Sequence, residues 1–315
     1  MNNKGEKGGL EKKRLIKPSH FPFSLLLSPQ GVIETLRWSR EILITKVTLV
    51  LSAACLIPLQ QAVAESSQLP TLTPNIKVLK ISHRGVKKFA PENTIPAIEK
   101  AIELGFDFVE LDIHYTADGY PVVIHDSFVD RTTPAHGPVA KYTLKEITML
   151  DAGLYFDEKF KGTKVPSLED ALKVMQGKIK LYLDQKELPK KMLLELLKKY
   201  NFYPDNIVVV GNNLFQKMFR LLAPDAPVMP KLSSVENINT TLKAFPHPEA
   251  FNVNYRDCSP ELVRSAHKHG VKVFVNTLQG GEKAEIMHYL IDCGVDAIQT
   301  DHPDMLIKVI ESYKK

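Results

Sequence analysis

Four short stretches of this sequence gather acids, histidines and cations in spacings that could support a reaction: His83-Arg84-Gly85, Glu110-Leu111-Asp112-Ile113-His114, His125-Asp126 and Asp184-Gln185-Lys186. Each lies at the end of a run of apolar, β-prone residues, so each is expected at the end of a strand. Residues two apart in a strand share a face, so Glu110 and Asp112 point together, as do Asp184 and Lys186. If that face is inward, three carboxylates meet in a partly desolvated space, where a divalent cation is the natural neutraliser. Oxygen-only donors select Mg²⁺, Ca²⁺ or Mn²⁺ over zinc. The alternative is that Glu110 and Asp112 face solvent or pair with Arg84 and Lys186. A histidine pair can take a proton from a nucleophile while giving one to a leaving group. His83 and His125 end separate apolar runs, each directly before a charged residue. Arg84 supplies a planar fork suited to phosphate oxygens. His267 and His269, around Lys268 and just before Gly270, read instead as cations at a helix C-terminus.

The elements that must position these groups alternate along the chain. Strands are expected at Val78 to Ser82, Phe108 to Ile113, Ile179 to Asp184, Ile207 to Val210, Val228 to Leu232, Ala250 to Asn254, Val271 to Asn276 and Ala297 to Thr300. Helical periods fall between them, at Thr94 to Leu104, Ser167 to Met175, Pro189 to Tyr200, Leu214 to Leu222, Pro260 to His269 and Gly281 to Cys293. Ser167 and Ser259 read as N-caps, and Gly105, Gly270 and Gly294 stand where helices end. Eight strand and helix units imply a closed parallel TIM-type (β/α)8 barrel, in which working residues sit at the C-terminal ends of the strands. One further run, Pro121 to His125, follows Phe108 to Tyr115 across Thr116-Ala117-Asp118-Gly119. Asp-Gly between alternating apolar runs is a hairpin signal, so this strand is antiparallel and starts an insertion of about 115–166 over the barrel mouth.

A chain of 315 residues has room for one such barrel, which needs about 250. At 44% hydrophobic and 24% charged it is ordinary for a globular protein, which excludes collagenous and disordered classes. The net charge of +5 is confined to residues 1–64, which hold nine Lys and Arg against four Asp and Glu. The body is formally neutral, so nucleic acid is not an expected partner. Val47 to Leu59 is an uncharged apolar run followed by Ala62-Val63-Ala64, a secretory pattern with cleavage before Glu65. The expected organisation is a basic leader and signal peptide at 1–64, a linker at 65–76 and the barrel at 77–315. Export would place the protein in the periplasm or outside the cell. A membrane anchor through residues 42–59, or lipid attachment at Cys55, is the lesser alternative, since a span needs about 20 apolar residues. After cleavage only Cys258 and Cys293 remain, and two buried thiols is the preferred reading. Gly-x-Ser-x-Gly, phosphate-loop, dinucleotide and Cys-x-x-Cys motifs are all missing from the sequence.

The charged stretches, taken in order from Val78 to Asp304, resemble the glycerophosphodiester phosphodiesterases, relatives of the phosphatidylinositol-specific phospholipases C. The resemblance rests on His83-Arg84-Gly85, Ala90-Pro91-Glu92-Asn93-Thr94, Glu110-Leu111-Asp112, Asp118-Gly119, His125-Asp126, Pro166-Ser167-Leu168-Glu169 and Thr300-Asp301-His302-Pro303. It implies that His83 and His125 are the acid and base, that Glu110 and Asp112 bind a metal, and that Arg84 holds phosphate with help from Lys186. It also implies cleavage of a small-molecule glycerophosphodiester to glycerol 3-phosphate and an alcohol, with membrane contact not required. Two positions depart from the family pattern. Its third metal ligand is usually glutamate, whereas Asp184 is one methylene shorter, so the ion sits closer to that strand or a water intervenes. Its Trp-Thr-Val-Asn is reduced to Phe274-Val275-Asn276, which leaves Asn276 as a polar contact and makes a substrate contact at Phe274 doubtful. The rival readings are a phospholipase C or D acting on intact phospholipids, with Leu154, Tyr155, Phe156 and Phe160 as an apolar rim, and a non-catalytic binding barrel.

Overall fold

A computed structural model describes residues 77–314. The leader with its apolar run and Cys55, and the linker at 65–76, lie outside the described residues. The described residues lay down nine strands: β1 (Leu79–Ser82), β2 (Phe108–Tyr115), β3 (Pro121–Val123), β4 (Lys180–Gln185), β5 (Ile207–Gly211), β6 (Lys231–Leu232), β7 (Ala250–Asn254), β8 (Lys272–Asn276) and β9 (Ala297–Thr300). The helices are α1 (Ile95–Glu103), α2 (Leu144–Ile147), α3 (Leu168–Met175), α4 (Lys191–Lys199), α5 (Asn213–Leu222), α6 (Ile238–Ala244), α7 (Pro260–Lys268), α8 (Ala284–Asp292) and α9 (Pro303–Ser312). Parallel pairing runs β5, β4, β2, β1, β9, β8, β7, β6, and β3 lies antiparallel on β2. Ser167 and Ser259 cap their helices by accepting the N–H groups of Asp170 and Leu262. Cys258 and Cys293 are buried free thiols.

The ring closes at its weakest strand. The run expected at Val228 to Leu232 is a regular strand only at Lys231 and Leu232, because Pro227 and Pro230 lack the N–H groups a ladder needs. A few backbone bonds join this run to both neighbours, and the proline carbonyls take part, accepting the N–H groups of Val209 and Asn252 at 2.9 Å. Met229 N–H donates to the Val209 carbonyl at 2.9 Å, and Glu249 N–H donates to the Val228 carbonyl at 3.0 Å. The result is a TIM-type barrel.

Alternation decides what fills it. Ile81, Phe108, Tyr182, Val208, Val210, Met229, Ala250, Phe274 and Ala297 form one buried cluster, the packed floor of the barrel. Val109, Leu111, Leu181, Leu183, Val209, Val253, Val273 and Ile298 belong to a second, larger cluster under the helices. Two residues beyond an inward apolar side chain stands an inward polar one. Phe108 is thus followed by Glu110 and Asp112, Tyr182 by Asp184, Phe274 by Asn276, Ala250 by Asn252 and Asn254, and Ala297 by Gln299. These five strands are apolar at the floor and polar at the C-terminal mouth, whereas β5 brings Val210 and Gly211 to the mouth.

The insertion forms as expected, although the regular part of its strand ends at Val123. Val122, Ile124, Val129, Val139, Ile147, Ala152 and Val165 give it a small core of its own. Of the rim candidates, Leu154 and Tyr155 are 40% and 42% exposed, while Phe156 packs edge-on against both Tyr155 and Phe160.

The turn after β1 depends on Gly85. Its φ is +76°, and a Cβ there would lie 2.6 Å from the Ala97 Cβ and 2.9 Å from the Ala97 carbonyl carbon in α1. Gly85→Ala is expected to destabilise the fold by roughly 2–4 kcal/mol, combining left-handed strain with overpacking. Gly177→Ala, at φ +71° but with open space around it, should cost only about 1 kcal/mol. Urea unfolding midpoints compare the two, and equal losses would refute the role given to the Gly85 contact.

Candidate active site

At the mouth, Glu110, Asp112 and Asp184 each offer an oxygen within 4.8 Å of the others. Glu110 and Asp112 are 2% and 1% exposed. Burial, followed by the neighbouring Asp112 and Asp184, pushes the Glu110 carboxyl well above the usual carboxylate range. Burial would raise Asp112 as well, but Lys186 and a hydrogen bond from Asn93 hold it below its ordinary value. The Lys186 ammonium lies 2.8 Å from Asp112 and 2.6 Å from Asp184. The acids face inward, and Asp112 is at the same time paired with Lys186 and, at 3.5 Å, with Arg84.

The donor set fits a divalent cation. Three hard oxygen ligands converge, burial and then the neighbouring acids push Glu110 towards its neutral form, and buried Asp112 Oδ1 has the Lys186 ammonium, at 2.8 Å, against it. Shortening Glu to Asp at position 184 has not removed the third acid from the cluster.

Strain in the backbone brings two loop residues to these acids. Arg84 and Asn93 have φ of 53° and 56°, the left-handed region that non-glycine residues enter at a cost of about 1–3 kcal/mol. In that conformation Arg84 N–H donates to Glu110 Oε2 at 2.7 Å, and Asn93 Nδ2 donates to Asp112 Oδ2 at 2.7 Å. The Arg84 guanidinium donates to Glu92 Oε1 at 2.9 Å, so part of the fork is engaged within the protein.

Each histidine has one ring nitrogen committed. His83 Nδ1 donates to Asp301 at 2.6 Å, and Asp301 is held in turn by Lys87 at 2.8 Å. His83 Nε2 looks towards Glu110, 3.9 Å away. Burial lowers the His83 pKa, against the opposing pull of Asp301. His125 Nδ1 donates to Asp126 at 2.5 Å, and the Arg131 hydrogen bond is the main cause that holds the Asp126 carboxyl down to about 2. His125 is tied to the acids through the backbone, since the N–H of the preceding Ile124 donates to the Asp112 carbonyl at 3.0 Å. His114, which sequence reasoning left without a role, braces this corner with one ring nitrogen on Glu187 and the other on the His125 carbonyl.

His83, Glu110, Asp184, Lys186 and Asn276 line one open cleft of about 530 Å³. Asp112, Arg84 and His125 are not among its lining residues, and His125 lines a smaller cavity with Glu92 and Asn93. Asn276 is joined there by Asn252, Asn254 and Gln299, whose inward register was readable but which carried no charge to attract notice. Phe274 lines a separate cavity of about 540 Å³ with Leu79, Phe108 and Val208, at the opposite end of the strands. It is a floor residue, packed edge-on against Phe108. Asp126 and Asp301 were also overlooked as partners, although each directly follows a motif residue. His267 bonds Asp296 at 2.8 Å in the last turn of its helix, far in kind from a catalytic setting.

Known proteins share both sequence and architecture. A model of the glycerophosphoryl diester phosphodiesterase family matches residues 83–305. A glycerophosphodiester phosphodiesterase of Caldanaerobacter subterraneus subsp. tengcongensis is 38% identical over 75% of this chain and 98% of its own. The crystal structure of a glycerophosphodiester phosphodiesterase from Agrobacterium tumefaciens superposes with a TM-score of 0.66 at 28% identity, covering 73% of this chain and 99% of that one. An Oleispira antarctica phosphodiesterase, solved in complex with the product sn-glycerol-3-phosphate, superposes with a TM-score of 0.65 at 25% identity over 74% of this chain and 96% of its own. The strand-end acids and histidines, the barrel that carries them and these matches agree: the chain belongs to the glycerophosphoryl diester phosphodiesterase family.

Proposed function

We propose that this protein hydrolyses glycerophosphodiesters to glycerol 3-phosphate and an alcohol. The observation that carries the reading is the cluster of three carboxylates and Lys186 at the barrel mouth, flanked by two histidines whose Nδ1 atoms are both committed to aspartates. The product bound by the Oleispira relative supports a small phosphodiester as substrate. With Nδ1–H given to Asp301 and to Asp126, each imidazole keeps Nε2 for proton transfer. One histidine takes the proton of the attacking neighbouring glycerol hydroxyl while the other gives a proton to the departing alkoxide, which releases the alcohol and leaves a cyclic glycerol phosphate. A water deprotonated by the second histidine then adds to phosphorus as the first returns its proton to the departing ring oxygen, giving glycerol 3-phosphate. Lys186 and Arg84 hold the phosphoryl oxygens, and Asn276 orients the bound molecule by hydrogen bonds. Glu110, Asp112 and Asp184 would hold one divalent cation, Mg²⁺, Ca²⁺ or Mn²⁺, which supplies charge stabilisation at the phosphorus centre.

The direct assay is release of glycerol 3-phosphate from a panel of glycerophosphodiesters and from micellar phospholipids. Turnover confined to the micelles would replace this reading with a phospholipase. Glu110→Gln and Asp112→Asn should lose metal binding and turnover together, whereas Asp184→Glu should keep both. Full activity after dialysis against excess chelator would remove the metal from the account. His83→Ala and His125→Ala should each lower turnover by about 10²- to 10⁴-fold at little change in metal affinity. The double variant should lose less than the product of the two. A histidine variant that keeps turnover but loses metal would make that histidine a ligand.

Export is part of the same proposal, supported by the apolar run Val47 to Leu59 and by Ala62-Val63-Ala64. N-terminal sequencing of the exported protein should begin near Glu65. Retention of residues upstream of Lys46 would overturn it.

A further inference from the structure

The insertion over the barrel mouth does more than cover it: we propose that Arg131, on that insertion, is the positioning residue that sets His125 for proton transfer by fixing the carboxylate of Asp126. The inference rests on the role given to His125 above.

Asp126 follows His125 directly, and the neighbours it has in sequence do not fix its carboxylate. Its Oδ1 takes His125 Nδ1–H, and its Oδ2 takes Arg131 Nε–H at 2.6 Å. The other end of the same guanidinium makes a two-pronged pair with Glu92, Nη1 to Oε2 at 2.9 Å and Nη2 to Oε1 at 2.7 Å. Glu92 is a firm anchor: its side chain is 11% exposed, and its Oε1 also accepts from Arg84. The guanidinium therefore spans two loops, one leaving β1 and one leaving β3, and aligns Asp126 against a partly buried acid.

Arg131 is itself held. Its neighbours Val129, Thr132 and Thr133 are buried, Thr133 N–H and Oγ1 both donate to the Val129 carbonyl, and Asp130 accepts from the Gly137 N–H at 2.9 Å. Only arginine suits this place. A planar fork can serve carboxylates on two sides at once, whereas the point charge of lysine can serve one well. Because Nε, Nη1 and Nη2 all face carboxylates of the protein, the geometry assigns Arg131 to Asp126 and Glu92 and not to the substrate. Without it the Asp126 carboxylate turns freely, and His125 Nδ1 loses the acceptor that selects its tautomer.

The test uses the full-length protein with its metal. Arg131→Ala should lower kcat for glycerol 3-phosphate release by roughly tenfold to a hundredfold, the usual loss when the partner of a site residue is removed, with KM changing far less. Arg131→Lys should recover only part of the loss, and added guanidinium should restore the alanine variant. Nitrogen-15 spectra of the His125 ring give a second readout that needs no turnover: wild type should show Nδ1 protonated, and Arg131→Ala a mixture of tautomers. Unchanged kcat, an effect on KM alone, or a kcat loss that guanidinium does not restore would each overturn the proposal. A wild type with Nε2 protonated would do so as well, even if no diester is hydrolysed and the activity reading itself has failed.

Discussion

Three carboxylates share a space in which they cannot all be charged without help, and much of the barrel mouth is a response to that. Two like charges 4.8 Å apart repel by about 3.5 kcal/mol at an effective dielectric constant of about 20, before either has been removed from water. The protein opposes this with cations and donors drawn from separate elements. Lys186 stands two residues beyond Asp184 in the chain, Arg84 comes from the loop after β1, and Asn93 comes from the approach to α1. Even so, Glu110 remains pushed towards its neutral form, the condition that a bound cation would relieve.

The same demand accounts for where the backbone is strained. Arg84 and Asn93 hold left-handed conformations because only there does one present its N–H to Glu110 and the other its side chain to Asp112. Gly85 between them lets α1 approach to a distance that no side chain would allow. The loop can hold this shape because both its ends are anchored, in β1 on one side and in the buried face of α1, Ala97, Ile98 and Ala101, on the other. Strain at the mouth thus rests on apolar packing a turn away.

Charge compensation also runs outward in chains. His83 is followed by Asp301 and Lys87, and His125 by Asp126, Arg131 and Glu92. Each imidazole is thereby given a fixed acceptor, and each acceptor a fixed cation. The two chains differ in origin. The first is built from barrel loops alone, while the second needs the insertion, whose separate core of Val129, Val139, Ile147 and their neighbours makes it rigid enough to carry Arg131.

Much of this was legible in the sequence, because it depended on local rules. Strand alternation put Glu110 with Asp112 and Asp184 with Lys186, Asp-Gly marked the hairpin, and serine and glycine marked helix ends. Those features depend on two to four neighbouring residues, and the structure keeps all of them. What depended on distance in space was not legible. Phe274 and Asn276 lie two apart on one strand, yet only the closed ring sends one to the floor and the other to the cleft. Arg131 and Glu92 are 39 residues apart and meet only because the insertion folds back over the loop after β1. The weak sixth strand closes the barrel although Pro227 and Pro230 spoil its own pattern, since partners on both sides supply the bonds it lacks. The residue types at each strand end were set by the sequence, whereas the pairing of charges between strand ends was decided by barrel closure, which alone brings acids and cations from distant segments within a few ångströms.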